Sequence, residues 1–261
     1  MTIGFIGTGN IASALVRGLC ASARPPSRIL VSPRNPEKAA RLAAEFAQVR
    51  IAADNQAVVD DSDTVILSVR PQAAEKILGA LAFRAGQRIV SLIAVTPLEL
   101  TRRLVSPAES VVRAVPLPSA ARGLGPIALY PGDAEAIELL GRLGTPVPAE
   151  SERDLEVLWA TTALIAPYFA LLEEVCGWAV GGGVEAATAR AYVTSMFHAI
   201  SVLALEERQV ALGELRAEAA TPGGLNEQAL AEIRERGGYR AFTSALDSIL
   251  RRLEESTIQG P

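Results

Sequence analysis

The chain is poor in the residues that build metal centres and covalent cross-links: it has two cysteines and one histidine in 261 residues. Cys20 and Cys176 stand far apart in apolar helical stretches. They offer no metal-ligand spacing and no disulfide framework, and read as small buried hydrophobes in a reducing cytoplasm. No signal peptide precedes the first strand, which agrees with a cytoplasmic expectation. His198 sits in an apolar helix and reads as a packed or hydrogen-bonded interface side chain rather than a general base. No metal site and no nucleophile–base signature accompanies it. Lysine and arginine form no run and the net charge is −4, so no nucleic-acid partner is expected. The longest uncharged stretch of the second half, Val157 to Leu172, falls short of the roughly 18 residues a membrane-spanning helix needs. It contains Pro167 and closes on Glu173-Glu174, so no membrane partner is expected either.

What is abundant is core-forming material. Hydrophobic residues make up 49% of the chain and charged residues 21%, the balance of a packed globular protein of one large or two small domains. Up to Ala149, short apolar runs alternate with amphipathic stretches. Strands are expected at Thr2–Ile6, Arg28–Ser32, Val49–Ala52, Thr64–Val69, Arg88–Ile93, Ser110–Ala114 and Pro126–Tyr130. Helices are expected at Pro36–Ala47, Gln72–Leu81 and Pro97–Leu104. This alternation predicts an α/β fold, a doubly wound and mainly parallel sheet of Rossmann type. Gly144–Ala149 reads as the end of that domain, giving a dinucleotide-binding domain over 1–149. Residues 150–261 read as all-helical, with helices near 155–180, 185–212, 225–236 and 239–256 broken by Gly181-Gly182-Gly183, Pro222-Gly223-Gly224 and Gly237-Gly238. The segment Tyr192–Leu205 is apolar on most faces and must be covered all round. About 110 residues of helix are few for that task, so a homodimer through the C-terminal helices is expected.

The most specific chemistry lies at the N-terminus. The run Ile3, Phe5, Ile6 breaks into Gly7-Thr8-Gly9-Asn10-Ile11-Ala12, a G-x-G-x-x-A turn between a strand and a helix. Glycine at 7 permits the tight turn, glycine at 9 admits a pyrophosphate against the backbone, and alanine at 12 permits close helix–strand packing. The first N–H groups of the following helix and its dipole then face the phosphates. Cofactor choice is read at the end of the second strand, Val31-Ser32-Pro33-Arg34-Asn35, where no carboxylate occurs before Glu37. Without an acid for the ribose 2′-hydroxyl, and with Ser32 and Arg34 to meet a 2′-phosphate, NADPH is expected over NADH.

Four stretches in order resemble the pyrroline-5-carboxylate reductase family: Gly4 to Ala12, Asp63-Thr64-Val65-Ile66-Leu67-Ser68-Val69-Arg70-Pro71-Gln72, Val112-Arg113-Ala114-Val115-Pro116, and Thr221-Pro222-Gly223-Gly224. The resemblance implies a Rossmann domain plus a helical dimerisation domain, and NADPH-dependent reduction of a cyclic imine, pyrroline-5-carboxylate, to proline, the last step of proline synthesis. It places Val69, Arg70 and Pro71 along the nicotinamide side of the cofactor and Asn55 near the adenosine phosphate. It makes Pro222-Gly223-Gly224 the substrate loop, whose backbone N–H groups take the carboxylate.

Departures from the family pattern fall on the substrate side. Leu117 replaces the asparagine of the family's P-N-T-P, and Ala163–Phe169 keeps only Pro167 clearly from S-G-S-G-P-A-Y. Leu225 and Asn226 replace a threonine pair, and the strand-end glycine of A-A-G-V is lost at Ile93-Ala94-Val95. Thr221 and Asn226 remain as candidate catalytic groups, Asn226 orienting an imine nitrogen or a carboxylate or else capping its helix. Gly223, Gly224, Leu117 and Tyr168 are the candidate substrate contacts, Tyr168 as proton donor or as core packing. The apolar replacements leave open a reductase of similar fold acting on a more apolar imine or carbonyl, or a nucleotide-binding protein without turnover.

Overall fold

The computed structural model describes residues 1–258; the last three residues of the segment 150–261 lie outside the described residues. Backbone contacts divide the chain into two compact units, Met1–Trp159 together with the chain end from Leu250, and Ala160–Ile249.

The first unit holds an eight-stranded sheet: β1 (Thr2–Ile6), β2 (Arg28–Val31), β3 (Val49–Ile51), β4 (Thr64–Leu67), β5 (Arg88–Ser91), β6 (Ser110–Val115), β7 (Pro126–Tyr130) and β8 (Thr145–Pro148). Its spatial order is β3-β2-β1-β4-β5-β6-β7-β8. Strands β1 to β6 run parallel, β7 pairs antiparallel to β6, and β8 runs parallel to β7. Helices α1 (Asn10–Ala21), α2 (Pro36–Glu45), α3 (Asn55–Asp60), α4 (Pro71–Leu78), α5 (Leu98–Leu104) and α6 (Ala134–Leu140) connect them.

The central strands are apolar on both faces because helices cover both, and alternate residues divide between two cores. Ile66, Val90 and Val112 pack in one with Leu15 and Leu19 of α1, Leu42 of α2 and Leu139 of α6. Val65, Leu67, Ile89 and Val111 pack in the other with Val58 of α3, Leu78 of α4 and Leu98 of α5. The winding reverses between β1 and β4, so the crevice at their carboxyl ends is where a ligand binds in this architecture. Several expected strands end early there. Strand β4 stops at Leu67 and β2 at Val31, and the N–H groups of the next residues, Ser68 and Ser32, make a last bond to the Ile6 and Phe5 carbonyls of β1 (2.8 and 3.0 Å) at the edge of the crevice.

One strand was not expected. Gly144–Ala149, read as the end of the sheet domain, contains β8, the strand at the sheet's edge. Pro146 and Pro148 argue against a strand, yet they are tolerated on an edge. The N–H groups of Thr145 and Ala149 donate to Gly125 and Leu129 (2.9 and 2.8 Å), while the alternate positions, which have no N–H to give, are the prolines. A second feature is an ion pair at the sheet. Arg113 of β6, 3% exposed, meets Glu152, whose Oε1 also accepts from the Leu98 N–H at the start of α5 (2.7 Å). The family-like V-R motif is thus a clamp between strand and helix.

The remaining helices are α7 (Glu152–Thr161), α8 (Ile165–Gly181), α9 (Ala186–Glu206), α10 (Leu212–Ala219), α11 (Leu225–Glu235) and α12 (Gly238–Ile258). The expected helix over 185–212 ends at α9, where Arg208 Nε satisfies the Leu205 carbonyl (2.9 Å). In the second unit, Trp178 is 83%, Tyr192 72% and Phe169 63% exposed. Only Ala189 and Val193 of α9 are buried, and His198 is exposed. The run Val157 to Leu172, expected to be too short to span a membrane, lies within the longer helical stretch Glu152–Gly181, which is by length and composition long and apolar enough, with a window of mean hydropathy 1.6. The same test is met by core helices of soluble proteins. Neither cysteine is fully buried. Burial, then Glu45, pushes the Cys20 thiol up to about 11, so it stays protonated and inert at neutral pH.

Gly18 marks the tightest contact of α1. A Cβ there would lie 2.1 Å from the Ala120 carbonyl oxygen, in the 3₁₀ turn Pro118–Arg122. Alanine normally stabilises a helix interior by ~1 kcal/mol relative to glycine. Gly18→Ala is expected to reverse that sign and lose ~1–3 kcal/mol through overpacking. Urea unfolding at fixed protein concentration reads the difference, and a gain in stability would refute the close approach.

Candidate functional site

The crevice is a cleft of about 520 Å³ lined by Gly7, Thr8, Gly9, Asn10, Arg34, Asn35, Lys38, Ser68, Val69 and Arg70. Gly7 makes the turn out of β1 with φ +96°, and a Cβ there would lie 2.3 Å from the Ser68 carbonyl oxygen. A Cβ at Gly9 would meet no atom within 4 Å, so that side of the turn is open. Helix α1 then begins with no capping side chain and no acid in its first turn. Its N–H groups and positive dipole end remain available to an anion. Ala12 is fully buried behind the turn, and Ile11 is half-buried against the core.

Ser32 is placed differently from the sequence expectation. It is 0% exposed, and its Oγ accepts the Gly7 N–H at 2.9 Å. Thr8 Oγ1 donates to the Ser32 carbonyl at 2.8 Å. The hydroxyl expected to meet a 2′-phosphate stands behind the glycine turn and braces it, because Ser32 is still bound to β1, its N–H donating to the Phe5 carbonyl at 3.0 Å.

Arg34 lines the cleft and a second recess beside it, shared with Pro33, Asp54, Asn55, Ala73, Lys76 and Ile77. Arg34 and Asn55, expected side by side, line this one recess. The one carboxylate in that recess, Asp54, accepts the Ala57 N–H at 2.8 Å and caps α3. Four cations line these two hollows: Arg34, Lys38, Arg70 and Lys76. Lys38 and Lys76 were not anticipated. Lys38 stands four residues after Arg34, in the first turn of α2, and its Nζ donates to Asn10 Oδ1 at 2.6 Å. Arg70 caps α4 and Pro71 fills its first position.

An uncapped helix start, an open glycine and cations unbalanced by a free carboxylate fit a dinucleotide. The cleft is that of a nicotinamide-nucleotide binder.

At the end of β5, Val95 has φ +48°, the only left-handed residue other than glycine among the described residues. Such a backbone costs an L-residue about 1–2 kcal/mol. It is glycine's conformation, at the segment where the family pattern has a glycine. Leu117, half-buried, precedes the 3₁₀ turn Pro118–Arg122 in the first unit.

In the second unit, Thr221, Gly223, Gly224 and Asn226 come together in one turn at the start of α11. Gly224 N–H donates to the Thr221 carbonyl at 2.9 Å. Asn226 Nδ2 donates to the Ala219 carbonyl at 3.0 Å, which leaves its Oδ1 facing no donor among the described residues. The N–H of Gly223 donates to Glu227 Oε2 at 2.7 Å. Glu227 was missed, because a glutamate in the first turn of a helix reads as ordinary dipole compensation. Tyr168 of α8 is partly exposed and meets Phe197 edge-on, with ring centroids 6.1 Å apart at 89°.

Known proteins resemble this chain in both halves. The family described as NADP oxidoreductase coenzyme F420-dependent matches residues 2–95, and the family described as pyrroline-5-carboxylate reductase dimerisation matches 152–256. A pyrroline-5-carboxylate reductase of Pseudomonas aeruginosa is 30% identical over 97% of this chain and 96% of its own length. One of Haemophilus influenzae is 28% identical over 97% of this chain and 96% of its own. The solved pyrroline-5-carboxylate reductase of Streptococcus pyogenes superposes with a TM-score of 0.83 at 25% identity, covering 98% of this chain and 99% of that one. With near-complete coverage at that identity, the chain belongs to the pyrroline-5-carboxylate reductase family.

Proposed function

We propose that the protein reduces the C=N bond of pyrroline-5-carboxylate to give proline, with NADPH as the reductant. The observation that carries this reading is 30% identity to a pyrroline-5-carboxylate reductase across nearly the whole of both chains. Bound in the cleft, the reduced nicotinamide supplies a hydride to the imine carbon.

The chain's own part is to bind, orient and exclude. A protonated imine is already a good hydride acceptor, so positioning is the main source of rate. In this reading Gly7, Thr8, Gly9, Asn10 and Ile11 form the phosphate turn. Val69, Arg70 and Pro71 flank the nicotinamide side, and Asn55 flanks the adenosine. Preference for NADPH rests on Arg34, supported by Lys38 and Lys76, around hollows with no uncommitted carboxylate. Ser32 acts through the turn.

Substrate roles fall to Thr221 and Asn226 as the polar groups, Gly223 and Gly224 as carboxylate binders, and Leu117 and Tyr168 as walls. Asn226 Oδ1 can accept from the protonated ring nitrogen. The Gly223 N–H reaches substrate only by giving up Glu227. Residues 1–149 serve as the cofactor domain and 150–261 as the dimerisation and substrate domain of a cytoplasmic homodimer. Support for the dimer comes from the dimerisation-family match and from the exposed apolar side chains of α8 and α9.

Four measurements test this reading. Pyrroline-5-carboxylate is expected to drive NADPH oxidation with proline as product. Turnover of other cyclic imines with none of this one would overturn the substrate. Arg34→Ala is expected to lower the NADPH/NADH ratio of kcat/KM at least tenfold, about 1.4 kcal/mol or more. Ser32→Ala should weaken both cofactors alike and cost about 1–2 kcal/mol in stability; a selective loss of NADPH in that variant would restore Ser32 to the phosphate site. Light scattering at micromolar concentration should return at least twice the mass of one chain, and a monomer would exclude the assembly.

A further inference from the structure

We infer that the helical unit carries an anion-binding pocket of its own, built for a small molecule with at least two negative charges. The pocket, about 580 Å³, is lined by Arg216 of α10, Leu230 and Arg234 of α11, and Tyr239 and Arg240 of α12. Three arginines, all solvent-exposed, thus line one hollow that has no carboxylate among its lining residues. None of the three makes an ion pair among the described residues, although acids are near in sequence. Glu232 of α11 is held by Arg236 (3.3 Å) and Gln228 (3.0 Å) instead.

Helix-end electrostatics account for two of these cations and fail for the third. Arg216 and Arg234 lie in the last turns of α10 and α11, where a cation offsets the negative dipole end. Arg240 lies in the first turn of α12, where the dipole end is positive and no acid accompanies it. Its charge is repelled by its own helix and by two neighbouring guanidiniums. An anion seated among the three turns each repulsion into an attraction. The planar forks suit paired oxyanions, the Tyr239 hydroxyl adds a donor, and Leu230 supplies an apolar wall. Phosphate-bearing molecules and polycarboxylates share this chemistry.

Calorimetric titration of the full chain, saturated with NADPH so that the glycine turn is filled, tests the pocket. The titrants are inorganic pyrophosphate and, separately, citrate, against potassium chloride at matched ionic strength. One saturable site per chain is expected for at least one of them, and the tighter titrant names the source. Arg216→Gln with Arg234→Gln and Arg240→Gln together should weaken binding at least tenfold. Arg240→Gln alone, which removes only the electrostatically misplaced cation, serves if the triple variant does not fold. The inference is overturned if no heat exceeds the chloride control, or if the variants bind as well as the parent. It is equally overturned if they bind no anion less well but dissociate into single chains, since the arginines would then pair with carboxylates of a second copy.

Discussion

The backbone at Gly7 is where three strands are drawn together, and the nucleotide cleft exists only because they come so close. The Gly7 Cα faces the Ser68 carbonyl with no room for a side chain. Its N–H is held from the other side by the Ser32 hydroxyl, itself wholly buried. Residues following β1, β2 and β4 therefore lock one another at a single point. That lock directs the unfilled N-terminus of α1 into the crevice and brings Arg34 and Val69 to its two flanks. Loosening it would disturb the whole wall of the cleft at once, because Ser32 holds the turn from within while Arg34 stands on the cleft's surface.

Polar commitments at the substrate turn follow the same logic on a smaller scale. The Gly223 N–H, the Asn226 amide nitrogen and the Asp54 carboxylate near the cofactor all have partners within the chain. Groups already satisfied cost little to leave in place and something to release. The groups left with capacity are Asn226 Oδ1, Arg34 and the first N–H groups of α1. The apolar side chains of α8 and α9 are a commitment of the opposite kind: surface that the chain does not cover for itself.

Much of the site was legible in residue order, for a local reason. A glycine turn between a strand and a helix needs its residues adjacent in sequence, so Gly7 to Ala12 could be read directly, as could the absence of an acid after β2. Lys38 and Lys76 were not, because what brings them to the cofactor hollows is the packing of α2 and α4 onto the sheet. Ser32 was assigned a cleft position from proximity to Arg34. What turns Ser32 inward is the Gly7 N–H, which its hydroxyl accepts across 25 residues of chain, a contact that only the pairing of β2 with β1 brings about. The strand at β8 was missed because two prolines forbid a central strand but permit an edge, and edge status is a property of the whole sheet.

Taken alone, the order of residues determined the alternation of strand and helix, the nucleotide turn, the change to an all-helical second half and the family. These follow from hydrophobic period and backbone permissiveness, which act over a few residues. Only the tertiary structure decided that Ser32 braces rather than binds, that Arg113 clamps β6 to Glu152, that Glu227 occupies the Gly223 N–H, and that three arginines from three helices line one pocket. Each of these is a meeting of polar groups too specific in distance and direction to be set by composition or period.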